Sequence, residues 1–197
     1  MGIAAGQVQR LTGNLIRYHL AIIGRQGRDV KVKALSIKPL WATLILQEAK
    51  RVEWRSWSTD YRGPLLICAS SGPWYAGSIC KHALCIVDLV DVVPFEEGYL
   101  YYSLMDEVPE EPGYAWLLGD LYFIKPFEVK GKLKLYDVDD DLIEEMEGGS
   151  YVEFAEKYYK PLMRWEDREI KREEIEADWA KWMELLRKCD VEQGRLD

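Results

Sequence analysis

The sequence predicts an α+β protein. A small β-barrel is expected over residues 31–140, with one helix across an opening, an N-terminal arm over 1–30 and a C-terminal helical extension over 141–197. Three observations carry this expectation. Short β-rich runs alternate with turn signals through the middle of the chain, a rhythm of antiparallel hairpins rather than of strands separated by helices. One proline-opened apolar helix interrupts them early, and beyond Asp140 the two-residue period gives way to helical spacing.

Taken in order, residues 1–30 carry glycines at 2, 6, 13, 24 and 27 and an ambiguous apolar pattern through Leu11, Leu15, His19 and Ile22, so a loosely ordered arm with a short helix is expected. A first strand is expected at 34–38. Pro39, with its fixed φ and no N–H to lose, then opens a helix over 39–49, in which Leu40, Trp41, Leu44, Ile45 and Ala49 share one face. Lys50 stands where that helix ends. From Arg51 the period is two, which places Glu53, Arg55 and Trp57 on one face of a strand and Val52, Trp54 and Ser56 on the other. A cation, an anion, a second cation and an indole therefore converge. Further strands are expected at 65–70, 83–93, 114–127 and 133–137. Residues 96–113 hold three Tyr, two Pro and six acidic residues with weak periodicity, which predicts a long loop over one end of the barrel. After Gly148 and Gly149, Ser150 and Glu153 form a capping box ahead of Tyr151, Phe154, Ala155, Tyr158 and Tyr159, a stripe that Pro161 stops or kinks. A second helix over 166–188 presents Ile170, Ile175, Trp179, Trp182, Met183 and Leu186 along one side. Both helices are expected to pack on the barrel, a partner-binding face being the alternative.

Composition bounds the function. With 197 residues, 48% hydrophobic and 30% charged, the chain can bury a core in one domain plus extensions. The apolar run 20–23 is too short for a membrane span, and Gly6 stands where a myristoylation signal needs Ser or Thr, so a cytoplasmic protein without membrane contact is expected. Cys68, Cys80, Cys85 and Cys189 lack paired C-x-x-C spacing and lie among apolar residues, and the only histidines are His19 and His82, so buried reduced thiols are expected rather than a metal site or disulfides. No cofactor is implied. The net charge of −8 argues against bulk binding of long duplexes, but residues 1–65 hold 11 Lys and Arg against 4 Asp and Glu. A basic third that includes the 50–57 cluster thus faces an acidic remainder.

The stretch Glu48-Ala49-Lys50-Arg51-Val52-Glu53-Trp54-Arg55 follows the pattern Gly-x-Lys-x-x-Glu-x-Arg apart from its first position. It is preceded by 36–41 and followed by Trp57, Arg62-Gly63 and the run 65–70. With 84–91, 114–118 and 124–133 in order behind it, this set resembles the ASCH family, the activating-signal-cointegrator homology domains of the PUA-like superfamily of small β-barrels, over roughly residues 33–138. Glu48 departs from the family glycine, which normally permits a left-handed helix end, so the turn into Lys50 is a point where a different build is expected.

The resemblance implies binding of RNA, other single-stranded nucleic acid or a modified nucleoside. From the residues themselves, the ligand-binding set is Lys38, Trp41, Lys50, Glu53, Arg55, Trp57, Ser70 and Trp116. Lys50 contacts phosphate or, with a depressed pKa, acts as nucleophile or base; the alternative is a solvated helix-terminal lysine. Glu53 is a general base and Arg55 an anion clamp, or the two form an internal ion pair. Trp41, Trp57 and Trp116 form a stacking wall or belong to the core. Some relatives in this superfamily are small hydrolases that deacetylate acetylcytidine with a Lys, a Thr and a Glu, and others are linked to RNA cleavage. That likeness makes Lys50 and Glu53 the catalytic pair of an enzyme reading, although Glu53 stands at the threonine position and cannot donate a hydroxyl hydrogen bond. Glu110 or Glu111 would supply the third group. A protein-interaction adaptor acting through the C-terminal helices is the remaining class.

Overall fold

The computed structural model describes residues 31–146 and 151–164. Six strands form one mixed sheet: β1 Lys31–Ile37, β2 Val52–Arg55, β3 Gly63–Ala69, β4 His82–Pro94, β5 Tyr114–Glu128 and β6 Leu135–Asp139, in the spatial order β2-β5-β4-β3-β1-β6. β1 runs parallel to β3, and every other pair is antiparallel. The expected strands are therefore present within a few residues of their expected bounds. Closure is not: β2 and β6 are the two edges of the sheet, with no ladder joining them, so a closed barrel is not formed by strand pairing. The fold is an α+β sheet that curls without sealing.

The curl has local causes. β4 and β5 span 13 and 15 residues, far beyond an ordinary strand, and their pairing slips at Ala83/Cys85, Val87/Leu89 and Leu89/Asp91. The first slip inserts two residues in β5, the second one in β5 and the third one in β4, and such insertions bend the pair and steepen its twist. One face buries Ile124 of β5 in a core with Val32, Ala34, Leu66, Cys68, Ala83, Ile86, Tyr136 and Val138, and the curl shows where Arg55 of β2 donates to the Ser36 carbonyl of β1 at 3.1 Å although three strands separate them in the sheet. The opposite face carries a larger core through Leu35, Ile37, Leu65, Ile67, Leu84, Val87, Leu89 and Trp116. Alternation along β3 supplies both: Leu65, Ile67 and Ala69 face one way, Leu66 and Cys68 the other.

Helix α1, Pro39–Leu46, covers the larger core with Ala42, Ile45 and Leu46. Thr43 ties it down, since its hydroxyl donates to the Pro39 carbonyl at 2.8 Å and accepts from the Ile79 amide at 3.3 Å. The helix ends three residues earlier than its apolar pattern suggests. Glu48 takes the left-handed conformation at φ 62°, its amide donates to the Ile45 carbonyl and the Ala49 amide donates to the Leu44 carbonyl. That is the bond pattern of a glycine-terminated helix, built here on a glutamate.

The 96–113 segment is not wholly irregular. It contains the short helix α2, Leu100–Ser103, whose Tyr102 carbonyl accepts from the Arg51 amide just ahead of β2. Near the C-terminus α3, Tyr151–Phe154, continues through a π-turn, Ala155–Tyr159, and a 3-10 turn, Lys160–Leu162. Tyr159 is fully buried and donates to the carbonyls of Leu84 and Ile124, while Phe154 packs on Phe123, so this part of the extension lies on the sheet. The arm 1–30, Ser150, Cys189 and the helix expected over 166–188 lie outside the described residues. Among the described residues no helix is long and apolar enough to cross a membrane.

Candidate functional site

The 50–57 cluster is held by the end of α1 and the edge strand β2. Because Glu53 and Arg55 are two apart on one strand, both side chains project from the same face, and because Lys50 lies three residues before Glu53 the chain turns it onto that carboxylate. Lys50 Nζ stands 3.3 Å from Glu53 Oε2, and Arg55 Nη2 stands 3.3 Å from Glu53 Oε1. Arg55 Nη2 also donates to the Ser36 carbonyl at 3.1 Å, at the end of β1. A chain of alternating charge thus runs from the helix end to the rim of the sheet.

Lys50 is not the solvated helix-terminal lysine that its position suggests. It is 3% exposed, donates to the Ser103 carbonyl of α2 at 2.6 Å and lies over the Trp41 ring, 5.1 Å from its centroid. Burial pushes its pKa below the usual lysine value, and the neighbouring Glu53 carboxylate only partly offsets this. Glu53 is 6% exposed. Arg55 is partly buried, and its Nε is enclosed without a hydrogen-bond partner among the described residues.

Arg55 opens onto a cleft of about 940 Å³. Its wall includes Ser36, Lys38, Arg55, Trp57, Ser70, Ser71, Lys81, Glu128 and the run 129–134. Six cations line it, Lys38, Arg55, Lys81, Lys130, Lys132 and Lys134, against the single carboxylate of Glu128. In a chain of net charge −8 this is a local reversal of sign.

The expected ligand-binding residues therefore divide. Lys38, Arg55, Trp57 and Ser70 line the cleft; Lys50, Glu53 and Trp41 do not, and stand behind Arg55. Trp116 offers no stacking face: it is 0% exposed, its ring meets Trp57 edge-on at 4.7 Å and its Nε1 donates to the Trp57 carbonyl at 3.2 Å. It braces Trp57 from the core. Glu110 and Glu111 are exposed, and the oxygen that the 96–113 segment brings to Lys50 is the Ser103 carbonyl instead. Charge counting by thirds of the chain missed Lys81, Lys130, Lys132 and Lys134, which belong to the acidic remainder. The alternation Lys130-Gly131-Lys132-Leu133-Lys134 was the available signal.

Cys68, Cys80 and Cys85 are free and buried, and burial raises the Cys68 thiol to about 11 and the other two above their usual value. Among the described residues no group of three His, Cys, Asp or Glu side chains could hold a metal ion.

Fold and site define a class, an α+β domain with a curled mixed sheet around a basic cleft. Residues 35–186 match the ASCH domain, and the chain belongs to the ASCH domain family, whose members are generally PUA-like, RNA-related domains. No curated protein matches the chain. Among solved structures it is similar to that of ASCH from Zymomonas mobilis, with a TM-score of 0.45 and 18% identity over 56% of this chain and 90% of that one. It is also similar to a tyrosine-to-phenylalanine mutant of that protein, with a TM-score of 0.43 and 18% identity over 57% of this chain and 93% of that one. A serine-to-alanine mutant gives 0.44 and 18% over 59% and 99%.

Proposed function

We propose that the chain is a nucleic-acid-binding module that holds a nucleotide of single-stranded RNA, or a modified nucleoside, in the basic cleft. The observation that carries this reading is the gathering of six cations around one cleft in an acidic chain. An anion is the natural occupant of such a site, and a duplex is disfavoured by the acidic surface elsewhere. Trp57 adds a ring for a base to pack on, since an aromatic face accepts any base while polar groups select among them. Arg55 is suited to the selecting role. Its Nη2 is anchored by Ser36 and Glu53, which fixes the guanidinium at the cleft wall. Lys50 and Glu53 then serve binding indirectly by holding Arg55.

Fluorescence anisotropy with labelled short RNA and DNA strands and with duplexes tests the reading. Arg55→Ala and Lys81→Ala are expected to weaken single-strand binding, and duplexes to bind more weakly than single strands. Affinities unchanged in both variants would overturn it.

A hydrolase is the second reading, favoured by one observation: Lys50 is buried, has a lowered pKa and touches Glu53, the environment in which a lysine serves as base or nucleophile. Against it, Lys50 stands behind Arg55 with its donors directed at Ser103, Glu53 and the Trp41 face. Incubation with acylated cytidines and short RNAs, followed by chromatography, decides. Turnover that vanishes in Lys50→Ala would replace the binding reading with the enzymatic one.

A further inference from the structure

We propose that Leu133 is a wedge that packs against the base next to the nucleotide held in the cleft, with the lysines beside it taking the adjoining phosphates. This rests on the single-strand binding reading above and adds to it a second contact point, outside the 50–57 cluster.

Leu133 is 94% exposed and is one of the residues lining the cleft. A single exposed leucine on a protein surface is ordinary. This one differs in its setting, because the short run Lys130-Gly131-Lys132-Leu133-Lys134 between β5 and β6 places it between two cations at the mouth of the basic cleft. The run is also braced. At its root the Val129 amide donates to the Lys81 carbonyl at 2.9 Å. Gly131 lies so close to the cleft floor that a Cβ there would be 2.6 Å from Ser36 Oγ, and Lys132 Nζ stands over the Tyr136 ring at 5.6 Å. Lys134, directly after the leucine, is held at φ 57°, a left-handed conformation unfavourable for any residue with a side chain. The backbone is thus tied on both sides of a leucine that is turned to solvent.

The neighbourhood favours a polynucleotide over the other surfaces that accept an apolar residue between cations. A membrane or an acidic protein would satisfy Leu133 and its lysines but gives no use to Trp57 and Arg55 in the same cleft. A strand that holds one nucleotide in the cleft and leaves past the 130–134 run brings its next base to Leu133. There an apolar side chain can pack on a base face or slip between two bases, as apolar wedges do in other nucleic-acid complexes, while lysines meet the backbone.

The test compares Leu133→Ser and Leu133→Trp with the wild-type chain. Anisotropy is read on a short labelled RNA and on the same RNA with an abasic site at each position in turn, and calorimetry on the free mononucleotide. Partial burial of a leucine predicts that Leu133→Ser weakens the RNA about five-fold, with the mononucleotide affinity and the salt slope unchanged. Leu133→Trp should recover or exceed the wild-type affinity. One abasic position should weaken the wild type by the same factor and leave Leu133→Ser no weaker. An unchanged RNA affinity in Leu133→Ser overturns the wedge while leaving the cleft reading in place, and so does an equal loss for the mononucleotide. A wild-type chain that binds no RNA overturns both. Binding to phosphatidylserine vesicles that is lost in Leu133→Ser, with RNA affinity unchanged, overturns the wedge in favour of a membrane contact.

Discussion

A buried lysine must be matched by partners or lose its proton, and Lys50 meets both pressures. Ser103, Glu53 and the Trp41 ring match it, yet burial still outweighs them and lowers its pKa. The sign for stability follows. The unfolded chain holds this proton up to the ordinary lysine value of 10.5, whereas the folded chain gives it up earlier, so the contribution of Lys50 to stability rises with pH through the folded pKa until 10.5. The buried thiols of Cys68 and Cys85 work in the opposite sense, because the unfolded chain ionises them first once pH passes 9. The comparison that isolates Lys50 is therefore between wild type and Lys50→Met in urea denaturation over a pH series. Lys50→Met should cost stability at neutral pH, toward the lower end of the roughly 3–5 kcal/mol for breaking a buried pair, since Glu53 keeps Arg55. The gap should widen as pH approaches 10.5. A gap independent of pH would mean that Lys50 is solvated.

At the scale of elements, the end of α1 shows a backbone geometry outlasting the residue type that suits it. Glu48 stands where glycine is expected, yet the turn is not rebuilt: the same left-handed residue and the same two backbone bonds close the helix. The side chain costs about 1–2 kcal/mol in that conformation. Its ion pair with Arg51 at 2.8 Å is half-exposed and returns at most about 1 kcal/mol. Glu48→Gly is therefore expected to raise the urea midpoint, with a gain of up to about 1 kcal/mol, whereas Glu48→Ala keeps the strain, loses the pair and lowers it. Either midpoint moving the other way would show that the ion pair, not the backbone, governs this turn.

Across the whole molecule the contrast is between a net charge of −8 and a cleft lined by six cations and one carboxylate. On the proposed reading, walls of low dielectric concentrate that local field, drawing in a short anion while a long duplex meets repulsion beyond the rim. Salt dependence reads this directly. For a single strand, each cation that neutralises a phosphate contributes about 0.7 to the slope of log affinity against log salt. Lys130→Ala should flatten the slope by about that amount if Lys130 meets a phosphate, and Trp57→Ala should weaken binding with the slope intact. Parallel slopes for wild type and Lys130→Ala would place the phosphate elsewhere in the cleft.

The sequence by itself determined what depends on spacing along the chain. Strand alternation, the proline at the start of α1, and the three- and two-residue steps that set Lys50, Glu53 and Arg55 side by side are local geometry, and the ion pairs at 3.3 Å follow from them. Tertiary structure alone decided what covers those residues. Lys50 is buried because α2 and Trp41 close over it, and Trp116 belongs to the core because β5 lies inside the sheet, between β2 and β4. The composition of the cleft was equally out of reach. Lys81 and the 130–134 run join Lys38 and Arg55 only through pairing between segments tens of residues apart, and slips in the β4–β5 register decide how far the sheet curls. Neighbour spacing sets which side chains face one another; solvent access and field depend on everything packed around them, which no local pattern encodes.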